Sequence, residues 1–298
     1  PGAWETGFEA LGEIINGSVN PSGKTADTYV KDLLRTHYIN NIGNFPYTNV
    51  DDLKAQALAA DSSYKGNVSF VNYIEGIYVG YKFYETAADE GLIDYESSVQ
   101  YPFGYGLSYT DFVQKITGFE NDGTTVKMDV TVTNTGDVSG KDVVQIYVSL
   151  PYQAGGVEKA ATQLVTFVKT ELLEPGASAR YTATFDIWDC SSYDADGEQA
   201  YILDAGDYTV HVAHDVKDSE CDFSYALGEK LVKKTDEVSG AEIKNLFSDA
   251  FCDQMTVLSR IDPVGTYPTT PVNETCPVDI SDMDAAVAPE TDADAVAP

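Results

Sequence analysis

Val126, Met128, Val130 and Val132 alternate strictly with polar neighbours, and Asn134-Thr135-Gly136-Asp137 follows directly. A period of two puts all four apolar side chains on one face of an extended strand, a pattern that no helix uses. Asn and Gly then supply the turn. The same pattern recurs downstream. Residues 143–150 and 163–168 read as strands, 180–185 places Tyr181, Ala183 and Phe185 on one face, and 206–213 does so with Tyr208, Val210 and Val212. Short alternating strands separated by turns predict an antiparallel β-sandwich.

Ahead of this region the periodicity is different. Phe8, Leu11, Ile14 and Ile15 predict an amphipathic helix over 1–16, ended by Gly17 and followed by the turn cluster Asn20-Pro21-Ser22-Gly23. Residues 31–70 are polar and loop-rich, with a short helix expected over 51–60, where Leu53, Ala57 and Leu58 share a face. Residues 68–84 have a β-like composition, and 83–92 read as a charged surface helix closed by Gly91. Between the two regions lies Tyr101-Pro102-Phe103-Gly104-Tyr105-Gly106-Leu107-Ser108-Tyr109-Thr110-Asp111-Phe112, five aromatics around two glycines. Its chemistry predicts a buried loop joining two packed units. A dinucleotide fingerprint is excluded, because Tyr109 stands where the third glycine is needed.

The stretch 101–112 resembles the signature near the end of the α/β-sandwich domain in glycoside hydrolase family 3, the β-glucosidase-like enzymes. Two further stretches resemble that family in the same order: Glu9-Ala10-Leu11-Gly12-Glu13-Ile14-Ile15-Asn16-Gly17-Ser18-Val19-Asn20-Pro21-Ser22-Gly23-Lys24-Thr25, its helix-then-turn segment, and Glu75-Gly76-Ile77-Tyr78-Val79-Gly80-Tyr81-Lys82-Phe83-Tyr84, its next strand. Val130-Thr131-Val132-Thr133-Asn134-Thr135-Gly136 is similar to an early strand and turn of the family's fibronectin type III-like domain. The resemblance implies α/β plus all-β architecture. Residues 1–114 would be the C-terminal part of the α/β sandwich, 115–228 the fibronectin type III-like domain, and 229–298 a disordered acidic linker or tail. Leu258-Ser259-Arg260 through Thr266-Tyr267-Pro268-Thr269 resembles the segment that leads into the catalytic barrel in members with permuted domain order.

The same resemblance implies hydrolysis of terminal β-D-glycosidic bonds with retention, on a β-linked oligosaccharide or glycoside. Two carboxyl groups about 5–5.5 Å apart carry that chemistry. The family's nucleophile is the Asp of a Ser-Asp-Trp motif on a TIM-like barrel. Here Ser248-Asp249-Ala250 and Ser281-Asp282-Met283 share two of its letters, and Trp4 and Trp188 do not follow Ser-Asp. The acid/base Glu belongs to a segment preceding Pro1. The expectation is therefore a fragment without catalytic residues of its own, with a barrel after residue 298 and the rest of the sandwich before residue 1. Its partner is that barrel, within the same protein. The alternative is a non-catalytic carbohydrate- or partner-binding module, which needs a row of exposed aromatics, for which Tyr147, Tyr181 and Tyr208 are the candidates.

The net charge of −30 argues against nucleic acid and anionic membranes, which need Lys and Arg to displace counterions. The sequence has no apolar run long enough for a membrane span. Cys190, Cys221, Cys252 and Cys276 form no CxxC pair, which argues against zinc and leaves three disulfide pairings open. His211 and His214, three apart on a strand, point to opposite faces and do not chelate, and His37 is isolated. No cofactor or metal is expected: Asp194-x-Asp196-Gly197-Glu198 lacks calcium-loop spacing and reads as a hairpin turn, and Walker and GxSxG motifs are missing. Glu5, in Trp4-Glu5-Thr6-Gly7, reads as a helix N-terminal cap, and Glu75 and Lys82 as an ion pair or buried network. Asn16, Asn67 and Asn273 head glycosylation sequons.

Overall fold

The computed structural model describes residues 7–66, 68–245, 255–271 and 275. The chain divides into two compact units, 1–36 with 75–267, and 37–74 with 268–298. Helix α1 (Gly7–Ile15) opens the larger unit and ends before Gly17, whose φ of 80° suits only glycine without strain. Its apolar residues Phe8, Leu11 and Ile15 are exposed. Strand β1 (Tyr29–Val30) follows. The smaller unit holds β2 (Phe45–Pro46), α2 (Val50–Ala60) and β3 (Ser69–Phe70). There β2 and β3 pair antiparallel, and the Phe70 ring lies 4.7 Å from Tyr47 and 6.1 Å from Phe45. Leu53 is buried, whereas Leu58 is exposed, so α2 buries a narrower face than its sequence suggests.

In the larger unit, helix α3 spans Tyr81–Asp89, followed by α4 (Tyr95–Ser98) and β4 (Val99–Tyr101), which pairs with β1. This corrects the sequence reading of 68–84. Only Ser69–Phe70 is strand there, and Lys82, Phe83 and Tyr84 are helical. Phe83, Tyr84 and Ala87, at i, i+1 and i+4, share one helical face and bury against Tyr78, Val99 and Leu258. On a strand Phe83 and Tyr84 would point apart. Nor is α3 a surface helix, because Phe83, Tyr84, Glu85, Thr86 and Ala87 are all buried.

The β-sandwich begins at Phe112. Its strands are β5 (Phe112–Asn121), β6 (Thr125–Asn134), β7 (Val143–Ser149), β8 (Gln163–Lys169), β9 (Ser178–Asp186), β10 (Ser192–Asp194), β11 (Ala200–Leu203), β12 (Gly206–Ala213), β13 (Ser219–Leu227) and β14 (Leu231–Lys233). One sheet has the order β5-β6-β9 and the other β13-β12-β7-β8, with a small β10-β11-β14 sheet alongside. Val126, Met128, Val130 and Val132 are fully buried and meet Val144, Ile146, Val148, Val210 and Val212 from the facing sheet. Each such side chain contributes about 1.5–3 kcal/mol by leaving water. Tyr208 belongs to this core at 2% exposure, and Tyr181 packs against its edge. Tyr147 faces outward from β7 but is 1% exposed, covered by Tyr81 and Phe103. The expected row of sugar-stacking aromatics is therefore not built from these three.

The segment 101–112 lies against the sandwich. Gly104 donates its N–H to the Thr25 carbonyl at 2.8 Å, and Thr25 returns its own to Tyr105 at 2.7 Å. At Gly104, with φ 81°, a Cβ would stand 2.1 Å from Gln145 Oε1 and 2.8 Å from the Tyr147 hydroxyl. At Gly106 it would stand 2.4 Å from the Gly23 carbonyl. Both glycines are required by close approach, and Gly104 by its dihedral as well. Gly104→Ala should lower the urea midpoint by an amount worth about 1–3 kcal/mol at unchanged m, from strain and displaced partners. Gly123→Ala, also at positive φ but with open space around it, should cost about 1 kcal/mol. Equal losses for the two would remove the close-approach explanation.

Candidate functional site

The polar groups that the fold brings together lie where the helical segment meets the outer face of the β13-β12-β7-β8 sheet. At its centre is Asp142, just before β7. Gln114 Nε2 donates to Asp142 Oδ2 at 2.8 Å, His214 Nδ1 lies 3.5 Å from the same oxygen, and Lys24 Nζ is 3.8 Å from Oδ1. His214 Nε2 meets Glu220 Oε2 at 2.8 Å, and the His214 carbonyl accepts from Lys24 Nζ at 3.1 Å. Gln145 Nε2 donates to the Gly104 carbonyl at 3.0 Å and to that of His214, while Gln145 Oε1 accepts from Tyr147 at 2.7 Å. Lys24 thus ties the turn after α1 to the sandwich. Burial alone would raise the Asp142 carboxyl, but His214, Gln114 and Lys24 together hold it below the usual carboxylate range. Asp142, aided by Glu220, lifts the His214 imidazole above its ordinary value against the opposing effect of burial.

Helix α3 covers the edge strand β8. The Tyr81 hydroxyl accepts from Leu164 N and the Thr86 hydroxyl from Ala161 N, both at 2.9 Å, so backbone donors at that edge are occupied. Tyr81 stacks on Phe103 at 4.5 Å. Glu85 is buried, with Lys217 Nζ 3.5 Å away and held 4.6 Å above the Tyr95 ring. Burial pushes the Glu85 carboxyl up, opposed by Tyr95 and Lys217. Lys82 and Glu75 are half-buried, and burial pushes the Lys82 ammonium down. It is Glu85 that carries the buried carboxylate of this helix.

The segment 255–267 is held by Glu158. Its carboxylate accepts from the Tyr78 hydroxyl, from Ser259 Oγ at 2.5 Å and from Arg260 N at 3.0 Å. Arg260 reaches Glu90 Oε1 at 2.6 Å and the Lys159 carbonyl at 3.3 Å, with its guanidinium 4.4 Å above the Tyr152 ring. Leu258 is buried beneath it in the α3 cluster.

The two imidazoles on β12 and just past it do not converge. His214 joins Asp142 and Glu220, whereas His211 lies between Ser149 and Asp222, with Nε2 2.9 Å from Ser149 Oγ and Nδ1 2.7 Å from Asp222 Oδ1. His37 is buried in the smaller unit, edge-on to Tyr38. Asp194 to Glu198 forms the turn of the β10–β11 hairpin, where Asp194 Oδ1 accepts from Gly197 N at 2.8 Å and Lys230 bridges Asp194 and Glu198. Cys190 and Cys221 are free thiols, and burial pushes Cys190 up to about 12. Asn16 accepts from Ser18 N at the end of α1. Glu5, Asn67, Asn273, Cys252, Cys276, both Ser-Asp pairs and the acidic stretch 276–298 lie outside the described residues. No motif announces the Asp142–His214–Glu220 cluster, whose members come from just before β7, just past β12 and from β13, and meet through their side chains.

A His held above its ordinary value contributes stability that is fully present below the unfolded value of 6.5 and disappears as pH rises through the folded value. Asp142, held low, contributes above its unfolded value and loses that contribution only in acid. Thermal midpoints of the chain should therefore fall on going from pH 6.5 towards pH 9, and His214→Asn should flatten that slope. An unchanged slope in the variant would show that His214 does not carry it.

The sandwich matches the profile of the "Fibronectin type III-like domain" over residues 142–216. The chain is 32% identical over 294 residues to "Beta-glucosidase A" of Butyrivibrio fibrisolvens, an alignment covering 90% of this chain and 31% of that protein. Among solved structures it resembles a β-glucosidase from Paenibacillus barengoltzii, with TM-score 0.62 and 31% identity over 78% of this chain and 23% of that one. It also resembles the GH3 β-glucosidase of Bifidobacterium adolescentis, with TM-score 0.57 and 30% identity over 79% of this chain and 30% of that one. The chain spans less than a third of the length of each of these relatives. Likeness that runs through both the helical segment and the sandwich settles the kinship: the chain belongs to the β-glucosidase-like glycoside hydrolases of family 3 and carries their fibronectin type III-like domain.

Proposed function

We propose that this chain is the non-catalytic part of a retaining glycoside hydrolase that removes terminal β-D-glycosyl residues, most simply β-glucosyl. The observation that carries this reading is the 90% of the chain aligned with a β-glucosidase, far beyond the sandwich alone. On this reading residues 1–114 complete an α/β sandwich, 115–228 form the fibronectin type III-like domain, and 229–298 lead to a TIM-like barrel in a domain-permuted protein. Both catalytic carboxylates lie outside the chain.

The geometry of the described residues supports a structural part. Asp142, Glu85 and Glu158 each accept hydrogen bonds or face a cation belonging to another segment, so their charge is spent on joining segments. Retaining hydrolysis instead needs one carboxylate free to attack and a second free to give up a proton. The substrate would be a β-linked oligosaccharide or aryl glycoside bound by the whole protein.

The 298-residue chain should leave p-nitrophenyl β-D-glucoside unhydrolysed. The same chain expressed with its flanking coding sequence should turn it over with retention, seen by NMR of the first-formed anomer. Enzyme-like turnover by the chain alone would overturn the division of labour. A flanked protein inactive on β-glucosides, β-xylosides and β-N-acetylglucosaminides alike would overturn the activity.

A further inference from the structure

Ser149, His211 and Asp222 stand in a line across three neighbouring strands, on the outer face of the β13-β12-β7-β8 sheet. Register alone produces the line. His211 is directly opposite Asp222 on β13 and Tyr147 on β7, and Ser149 is two residues beyond Tyr147, hence on the same face. The imidazole is used at both nitrogens, Nε2 towards the hydroxyl at 2.9 Å and Nδ1 towards the carboxylate at 2.7 Å. Asp222 Oδ1 also accepts from Ser219 Oγ at 2.6 Å, which fixes the carboxylate from a second side. Burial would raise the Asp222 carboxyl, but Ser219 and His211 outweigh it, so it stays ionised where an imidazolium would form.

All three side chains line one cavity of 290 Å³, with Thr162, Lys217 and Tyr147 among its other walls. That volume sits at the small end for ligand sites and suits a short acyl ester. A hydroxyl on Nε2 with a carboxylate on Nδ1 is the arrangement that makes a serine nucleophilic, irrespective of fold or chain order.

We propose that Ser149, His211 and Asp222 form an acyl-transfer site for small carboxylic esters, separate from the glycosidase chemistry and not resting on it. Ser149 Oγ attacks the ester carbonyl while His211 Nε2 takes its proton. Collapse of the tetrahedral adduct breaks the bond to the alcohol, which leaves with that proton. Water then attacks the acyl-serine, with His211 again as base, and the carboxylic acid departs. Thr162, which lines the cavity, is the donor assigned to the oxyanion, the Lys217 ammonium being engaged with Glu85 and Tyr95. Asp222 is a positioning residue acting through His211.

The test treats the full 298-residue chain with a fluorophosphonate probe, locates the adduct by peptide mass spectrometry, and follows p-nitrophenyl acetate hydrolysis. Labelling should fall on Ser149, vanish in Ser149→Ala and drop about 100-fold or more in His211→Gln. Asp222→Asn should shift the pH profile of labelling, and each variant should keep the thermal midpoint of the wild-type chain to within a few degrees. A wild-type chain left unlabelled, or labelling that survives Ser149→Ala, would overturn the site and leave the line as a cross-strand tie.

Discussion

The attachment of the helical segment to the β-sandwich depends on two side chains that are not there. At Gly104 the backbone enters the space in front of Gln145 and Tyr147, and at Gly106 it meets the carbonyl of Gly23. With the backbone that close, Gln145 can bridge the carbonyls of Gly104 and His214, and Lys24 can reach Asp142. Tyr147 is then sealed under Tyr81 and Phe103. A polar network of this kind is favourable only when its members are satisfied together, because a buried group left alone costs its full desolvation. The two glycines are what let all of them be satisfied at once.

Much of the sandwich was legible in the sequence because burial on one face of a strand leaves a period of two. β6, β9 and β12 fall where alternation places them, while β7, buried on both faces, and β8 read from dense apolar composition. β13 carries the period-two signal in Cys221, Phe223, Tyr225 and Leu227, which alternate along it and pack against the core. β5 gives less, since its burial alternates only in part along an edge strand. The helix expected over 83–92 is present as α3, but it starts at Tyr81 and is buried: Tyr and Phe favour strands in isolation, whereas here tertiary burial of Phe83, Tyr84 and Ala87 decides.

The polar sites were much less legible. Ser149, His211 and Asp222 belong to three different strands, and Asp142 and His214 flank the ends of β7 and β12 while Glu220 lies on β13, so only strand pairing brings the members of each set into reach. A histidine reads the same in sequence whether it faces a carboxylate or water. The family resemblance, by contrast, was visible in three ordered motifs, and two of these are the segments that meet through Gly104, Gly106 and Thr25. Their sequence distinctness has a physical reason, since each half of that contact constrains the other.

The strand order also has a consequence for how the chain is made. β5 and β6 form a hairpin of neighbours, which can close as soon as both have left the ribosome. β7 cannot, because one of its two partners is β12, beyond β8, β9 and the β10–β11 hairpin. Until β12 emerges, that side of β7 presents open hydrogen-bonding groups and the apolar row Val144, Ile146 and Val148. Non-local pairing of this kind is slow and leaves aggregation-prone intermediates exposed. The residues ahead of β12 already carry 29 Asp and Glu against 12 Lys and Arg, so copies that expose this edge repel one another by like charge.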